Sequence, residues 1–343
     1  MPVSRHPPAA PPTSERALLQ RLIAGPVSGD ALAHECGQTR AAVWKRIGLL
    51  REAGVPIVAR RGTGYTLAHP LTLLDADAIV DALSPATRAQ LATLDVAWSL
   101  DSTNAELLRR PMPGALAEAQ LAERQTAGRG RRGRVWQSPL AAHLYLSLQR
   151  GFDGGLARLG GLSLVAGIAA VEALQALGVA PVRLKWPNDL VVVDGDGLRK
   201  LGGVLVEGGG EHAGPARAVL GIGLNVRMPE AAAAAIDQPW VDLAALAGAG
   251  RTISRSTLAA ALLDAWVPAL ARFDADGLAP FLPRFAAVDA LAGRAVTVHG
   301  GQGECDGDAL GIADDGALRV ALSTGVASFH AGEISVRPRS PRA

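Results

Sequence analysis

The segment Gly128 to Pro139, GRGRRGRVWQSP, concentrates arginine beside glycine: Arg124, Arg129, Arg131, Arg132 and Arg134 surround Gly128, Gly130 and Gly133. Guanidinium groups are almost never buried without partners, so this stretch predicts a mobile surface loop and not a core element. Glycines let a backbone approach an anion closely, and arginines supply forked donors that match carboxylate or phosphate. The order lacks the GxxxxGK[ST] of a P-loop. By itself the loop therefore leaves three uses open: an anion site, an arginine-rich RNA contact, or a solvated surface.

Further motifs give it a context. LKWPNDL, Leu184 to Leu190, predicts a strand ending at Lys185, a turn at Pro187 and Asn188, and a second strand. DGDG, Asp194 to Gly197, reads as a hairpin turn, because the other ligands of a calcium loop do not follow it. It leads into RKLGGVLVE, where Lys200 enters a strand and Gly202 and Gly203 leave space for a ligand or for close backbone packing. GIGLNV, Gly221 to Val226, is a further strand with glycines on one face and Asn225 near its end. Three strands thus deliver two lysines and an asparagine near glycines. Upstream, Ser102, Thr103 and Asn104 of DSTN stand at the start of a helix over 105–110, where they could cap it or face a ligand. Neither a nucleophile elbow nor a reactive-cysteine setting is present.

The elements that must hold these residues follow from periodicity. Strands are expected near 116–123, 144–149, 182–186, 190–193, 201–207 and 218–226, with a long helix over 156–177 among them. The most apolar stretch, Leu162 to Ala180, approaches membrane-span length, but Glu172 and Gln175 interrupt it and Gly178 closes it, so a buried helix is the reading and no membrane is involved. Strands separated by tight turns argue for a mixed or antiparallel sheet. Two amphipathic helices, 254–272 and 277–285, precede a run of short glycine-punctuated strands over 291–336 that has the pattern of a small antiparallel barrel.

At the other end, Leu18, Leu19, Leu22 and Ile23 recur at helical spacing, a second short helix ends at Gly37, and Thr39 caps a third helix with Val43, Ile47 and Leu50 inward. A hairpin follows, with Arg60 and Arg61 at its tip. This is the order of a winged helix-turn-helix, whose third helix enters the major groove while basic flanks meet phosphates. The candidate DNA contacts are Thr39, Arg40, Trp44, Lys45, Arg60 and Arg61. Between residues 14 and 67, eight basic residues face four acidic ones. A small helical interaction domain is the alternative.

A length of 343 residues predicts two or three domains, and 49% hydrophobic against 19% charged residues suits folded globular cores. The net charge of +2 excludes general basicity as an argument for nucleic acid, which leaves local charge to carry it. Cys36 and Cys305 lie far apart, implying neither a disulfide framework nor a zinc site and fitting a reducing cytoplasm. The division expected is a disordered proline-rich tail 1–13 without a signal peptide, a winged helix 14–68, a linker and short helix capped by Asp75 over 69–94, a catalytic domain 95–288, and a C-terminal domain 289–338.

DSTN, Gln125 with AGRGRRGR, KWPND, KLGGVLVE and GIGLN, in this order, resemble the biotin protein ligases. With the winged helix, the likeness is to the bifunctional ligases that also repress a biotin operon, and it extends from about Glu15 to Val336. Lipoate ligases share the catalytic fold but not the GRGRRG loop. The resemblance implies a multidomain α+β protein: an N-terminal winged helix-turn-helix, a central mixed and antiparallel α/β ligase domain of the class II synthetase kind, and a C-terminal SH3-like β-barrel. It implies a biotin–[biotin carboxyl carrier protein] ligase that makes biotinyl-5′-AMP from biotin and ATP, with Mg²⁺ sharing the pyrophosphate charge and no metal site of the protein's own.

By the same resemblance, Ser102, Thr103, Asn104, Gln125, Arg129, Gly130, Arg131 and Lys200 contact biotin. Arg129, Arg131, Arg132, Lys185, Asn225 and Trp240 contact the nucleotide, with Gly221 and Gly223 on the adenylate side. Lys185, Lys200 and Arg131 serve the reaction, the lysines at the α-phosphate and the activated carboxyl, and the arginine loop as a cover. For Trp240, a core or interface position competes with adenine stacking. Asp189 reads as a turn cap, with orientation of Lys185 or metal binding as alternatives. The C-terminal domain offers no nameable chemistry. Partners implied are a carboxylase carrier domain, operator DNA, and a second copy of the chain on adenylate binding. Ligase with repressor, ligase alone, and a non-transferring sensor compete, and the complete KWPND, KLGG and GRGRRG segments disfavour the sensor. Bulky Trp44 on the recognition face means that no operator sequence carries over.

Overall fold

The computed structural model describes Val3 and residues 13–247, 253–300, 303–332 and 334–339. The expected disordered tail thus lies, but for Val3 and Thr13, outside the described residues. Helices α1 (Thr13–Ile23), α2 (Gly29–Glu35) and α3 (Arg40–Glu52) are followed by the antiparallel hairpin β1 (Ile57–Arg60) and β2 (Gly64–Leu67). Ser28 and Thr39 cap α2 and α3 by accepting from Ala31 N and Ala42 N. Leu18, Leu19, Leu22, Val43, Ile47 and Leu50 close the core of this winged helix. Trp44 is left 71% exposed on the opposite face of α3, with Lys45, Arg60 and Arg61 also exposed. Arg40 is already half-committed, pairing with Asp30 at 3.0 Å.

Helices α4 (Ala76–Ala82) and α5 (Pro85–Ala89) lead into β3 (Leu91–Ala97), then α6 (Thr103–Arg109) and β4 (Ala117–Ala122). The sheet continues with β5 (Leu144–Phe152), helix α7 (Leu162–Ala176), β6 (Val182–Lys185), β7 (Asp189–Asp194), β8 (Gly197–Gly210) and β9 (Ala216–Leu224). Its seven strands run in the order β3-β4-β5-β9-β8-β7-β6, with β3 and β4 parallel and every other pair antiparallel. Two expectations differ from this. Strand β3 begins at Leu91, inside the segment expected to be linker. The long helix begins only at Leu162, because Gly161 sits at φ +82° and Leu156–Leu159 forms a separate 3-10 turn.

The sequence of α7, LSLVAGIAAVEALQA, is apolar nearly all round and accordingly lies buried between the sheet and α10 (Arg255–Asp276). Trp266 Nε1 of α10 donates to Ala166 O at 2.9 Å. Short helices α8 (Glu230–Ala233) and α9 (Leu243–Ala247) precede α10, and α11 (Leu282–Val288) follows it. Among the described residues no helix is long and apolar enough to cross a membrane.

The C-terminal unit, β10 (Ala295–Gly300), β11 (Gly303–Ile312), β12 (Leu318–Leu322), β13 (Gly325–Phe329) and β14 (Ser335–Pro338), is an antiparallel sheet in the order β13-β12-β11-β10-β14. Val296, Val298, Leu318, Val320 and Val336 join the same apolar core as the catalytic sheet. At the junction, Ala290 N donates to Leu184 O at 2.9 Å, and the half-buried Asp289 accepts from Leu291 N at 2.8 Å. Burial pushes the Asp289 carboxyl up to about 6, against that hydrogen bond.

The winged helix is docked, not tethered. Its core takes in Leu140 and Ala141, which follow the arginine loop. Leu140 N donates to Ala53 O at 2.7 Å, and a Cβ on Gly54 would lie 2.6 Å from Pro139 Cβ. The connecting segment is held too: Leu74 N donates to Glu123, whose carboxylate pairs with buried Arg255 at 2.7 Å.

Candidate active site

A cleft of about 500 Å³ opens between the arginine loop, the β9–β8–β7 face of the sheet, and β14 of the C-terminal unit. One end is polar, with its side chains hydrogen-bonded to one another. Ser102 caps α6 by accepting from Ala105 N, which turns Thr103 and Asn104 onto the sheet. Thr103 N donates to Gln125 Oε1 at 2.9 Å. Asn104 Nδ2 donates to Leu205 O at 3.2 Å and to Glu207 Oε2 at 2.8 Å, while Asn104 Oδ1 lies 2.6 Å from Ser147 Oγ. Ser147, wholly buried on β5, also lies 2.7 Å from Thr103 Oγ1. Gly221 is glycine for a reason visible here: a Cβ would meet Asn104 Oδ1 at 2.1 Å.

The other end is charged. Lys200 Nζ pairs with Asp189 Oδ1 at 2.8 Å and stands 5.5 Å over the Trp136 ring. Lys185 ends β6 beside them. Burial drives the Lys185 ammonium below the usual lysine range; Asp189 opposes this, and the neighbouring cations Lys200, Arg337 and Arg134 add to it. Burial acts to raise the Asp189 carboxyl, but Lys200 and Lys185 prevail and hold it below the ordinary carboxylate range. Asp189 is therefore the counter-ion of the lysine pair, where a turn cap was the expectation. This end concentrates positive charge with one carboxylate to organise it, an arrangement suited to an anionic, phosphate-bearing ligand.

The arginine loop covers the cleft as an anchored hairpin and not as the free surface loop expected. Gly130 N donates to Arg134 O at 2.7 Å and Trp136 N to Gly128 O at 2.9 Å. A Cβ at Gly128 would lie 2.6 Å from Ser138 Oγ, so the hairpin closes only with glycine there. Arg129 pairs with Glu207 at 3.0 Å. Arg131 donates to Asn188 Oδ1 at 3.0 Å and reaches the C-terminal unit through the carbonyls of Ala331 and Gly332. Arg132, at φ +58°, stays exposed at the rim with Arg134.

Of the expected ligand contacts, Ser102, Thr103, Asn104, Gln125, Arg129, Gly130, Arg131, Arg132, Lys185 and Lys200 all line this cleft. Asn225 and Trp240 do not. They line an adjoining cavity of about 320 Å³, which shares Arg134, Val135, Trp136, Lys200, Asp237 and Gln238 with the first. Trp240 is half-buried, and its segment is strung onto β8 by Lys200 N to Pro239 O and Val241 N to Lys200 O, both 2.9 Å. The buried Asn225 amide donates to Val241 O at 3.1 Å and so holds that segment. Gly221 and Gly223 both line the first cleft, and a side chain at either would collide, at Gly223 with the Trp136 ring, which a Cβ would meet at 2.4 Å. The six winged-helix candidates stand apart from the cleft.

Four residues go beyond that set: Ser147, Glu207, Trp136 and Arg337. The first has a legible signal, since period-two reading of LYLSLQ puts Tyr145, Ser147 and Gln149 on one face and Leu144, Leu146 and Leu148 on the other, and all six are buried. Arg337 comes from β14 to line the cleft, so the C-terminal unit does contribute a cation.

Residues 101–225 match the model of the biotin/lipoate A/B protein ligase family, 15–66 an HTH domain, and 292–337 the biotin protein ligase C-terminal domain. The chain is 41% identical over 310 residues to the bifunctional ligase/repressor BirA of Salmonella typhimurium, covering 90% of this chain and 93% of that one. It is 40% identical to the Escherichia coli protein of the same name, covering 90% and 92%. Among solved structures, biotin protein ligase from Aquifex aeolicus in complex with biotin and ATP superposes with a TM-score of 0.59 at 26% identity, over 72% of this chain and 99% of that chain.

Proposed function

The chain belongs to the biotin protein ligase family, among its bifunctional ligase/repressors, and from that premise we propose that it makes biotinyl-5′-AMP from biotin and ATP and transfers biotin to a lysine of a carboxylase carrier domain. The observation that carries this reading is the division of the cleft: a hydrogen-bonding end and a cationic end, with Lys200 also facing a second cavity. A cyclic urea suits the first end, the carboxylate and α-phosphate suit the second, and the second cavity offers Asn225 and Trp240 to the adenosine.

In the first step the biotin carboxylate attacks the α-phosphorus of ATP, and pyrophosphate leaves. Both reactants are anions, so the barrier is lowered by cations fixed before they arrive. Lys200 and Lys185 fill that role, with Asp189 between them, and Arg337 supplies charge from the C-terminal side. Arg131 spans from Asn188 to the C-terminal unit and retains the adenylate under the loop. In the second step a carrier lysine amine attacks the acyl carbon and AMP leaves. We assign Mg²⁺ to the phosphates of ATP as part of the substrate, since Asp189 is already paired with Lys200.

The winged helix serves a biotin-responsive repressor, with Lys45, Arg60 and Arg61 meeting phosphates and Trp44 facing the bases; adenylate binding drives two copies together on operator DNA. The functional division is placed at 14–68, 91–288 and 289–338, the middle limit moved from 95 to the start of β3, and the protein works in the cytoplasm, with Cys36 and Cys305 both free. One incubation tests the ligase reading: ATP, labelled biotin and a carrier domain, with octanoate or lipoate competing. Transfer of biotin alone is expected, and transfer of another acid in its place overturns it. Failure to bind the biotin-gene promoter with biotin and ATP present would leave ligase activity without repression.

A further inference from the structure

The hydrogen bonds at the polar end of the cleft form one chain, and counting its protons gives it a direction. The Asn104 amide can face only one way: its Nδ2 meets two acceptors, Leu205 O and the Glu207 carboxylate, so Oδ1 is the atom turned toward Ser147. An amide oxygen cannot donate, so the single hydroxyl proton of Ser147 belongs to Asn104 Oδ1 at 2.6 Å. Ser147 must then accept from Thr103 Oγ1 at 2.7 Å, since two hydroxyl oxygens at that distance need a proton between them. The alternative partner of the Thr103 hydroxyl, Gln125 Oε1 at 3.1 Å, is already served by Thr103 N at 2.9 Å. With its proton pointed into the protein, Thr103 Oγ1 keeps its remaining lone pair for the cleft that it lines. Its neighbour Ser102 has the opposite sense: Oγ accepts from Ala105 N and has its proton left to give.

We propose that Ser147 is a positioning residue that sets this polarity, making Thr103 an acceptor beside the donor Ser102, so that the cleft selects a ligand edge with an N–H next to a C=O. Ser147 does not line the cleft; it acts through Thr103. The ligand edge named is that of a cyclic urea, and the inference rests on the biotin reading above. Removing Ser147 lets the Thr103 hydroxyl turn to Gln125 or into the cleft, where its proton would oppose a ligand N–H.

The test is a double-mutant cycle on the full chain, read as KM for biotin and KM for ATP in the carrier-transfer assay. Ser147→Ala and Thr103→Val are each expected to raise KM for biotin about ten-fold, with KM for ATP unchanged. The double variant should be no worse than Thr103→Val alone, because Ser147 sets hydroxyl direction at the ligand only through Thr103, while its other partner, Asn104, stays oriented by Leu205 O and Glu207. Ser147→Cys, which keeps a weak donor and acceptor, should recover part of the loss and covers the case in which the alanine variant folds poorly. Additive losses, or a parallel rise in KM for ATP, overturn the proposal and make Ser147 a packing residue only. Wild-type protein that fails to use biotin in the same assay overturns the biotin reading instead, so the two failures are distinguishable.

Discussion

The cleft and the winged helix use polar residues in opposite ways. In the cleft much of the polar set is already partnered by the protein: Lys200 by Asp189, Arg129 by Glu207, Asn104 by Glu207 and Ser147, and Arg131 by Asn188. On the winged helix Lys45, Arg60, Arg61 and Trp44 project into solvent, and among the described residues the candidate DNA contacts with a partner are Arg40, paired with Asp30, and the helix cap Thr39. The first arrangement fixes geometry before a ligand arrives, which is what a charge-neutralising reaction needs. The second leaves side chains free to settle along a phosphate backbone, where charge counts more than exact placement. Losses in the cleft should therefore be steep and specific, and losses on the winged helix shallow and dependent on salt.

The steepest is expected at Lys200. Lys200→Met should slow adenylate formation by roughly 100-fold or more, measured as initial pyrophosphate release, because it removes a preorganised cation and leaves Asp189 facing an incoming anion. A loss below ten-fold would mean that Lys185 carries the step.

Asp289 gives a third case, a half-buried carboxylate with no cation among the causes of its shift, and its effect should be on stability alone. Its carboxyl is raised from 3.8 to about 6 in the folded protein. Between those values the folded state holds more protons than the unfolded one, so stability falls as pH rises through that window. Asp289→Asn should then stabilise the protein by about 2 kcal/mol at pH 8 and by almost nothing near pH 4, read by denaturant unfolding. Equal effects at both pH values would assign the gain to packing.

Arg131→Ala should leave adenylate synthesis possible but speed escape of the intermediate about ten-fold in a single-turnover release assay, since the loop loses its charged tie to the C-terminal unit. Unchanged retention would remove Arg131 from that role. Smallest of all, Lys45→Ala and Arg60→Ala should each weaken DNA binding several-fold and lower the slope of log affinity against log salt by about 0.9. A steep, salt-independent loss at either position would break the contrast between the two regions.

What was legible in the sequence divides along similar lines. The winged helix could be read because its signals are local: Thr39 is a cap, Val43, Ile47 and Leu50 an inward stripe, and Arg60 and Arg61 the tip of a hairpin. The glycine and lysine motifs of β7, β8 and β9 were legible for the same reason. Strand β3 was not, because its parallel pairing with β4 lies across α6, and Asp95 sits where a buried strand would show an apolar residue; Arg110 meets it there at 3.0 Å. The break at Gly161 is hidden in a run whose hydrophobicity alone suggests one helix. Glu207, Asn104 and Ser147 are separated by more than forty residues at the nearest, so their chain of hydrogen bonds exists only once the sheet has formed. Arg337 depends on the C-terminal unit docking over the cleft. The place of Asn225 and Trp240 in a second cavity follows from a segment laid along β8, which no period announces.

The seat of Pro139 and Leu140 against Ala53 and Gly54 bears on how such a chain tolerates change in length. The arginine loop has one free end and one nailed end. At its tip, Arg132 and Gly133 touch little, so an added residue there only lengthens a turn. Between Ser138 and Ala141 an added residue would slide Leu140 out of the winged-helix core and shift the leg that carries Trp136. Grafts, tags and natural insertions belong at the tip, and the four residues behind it set the spacing between the two halves of the molecule.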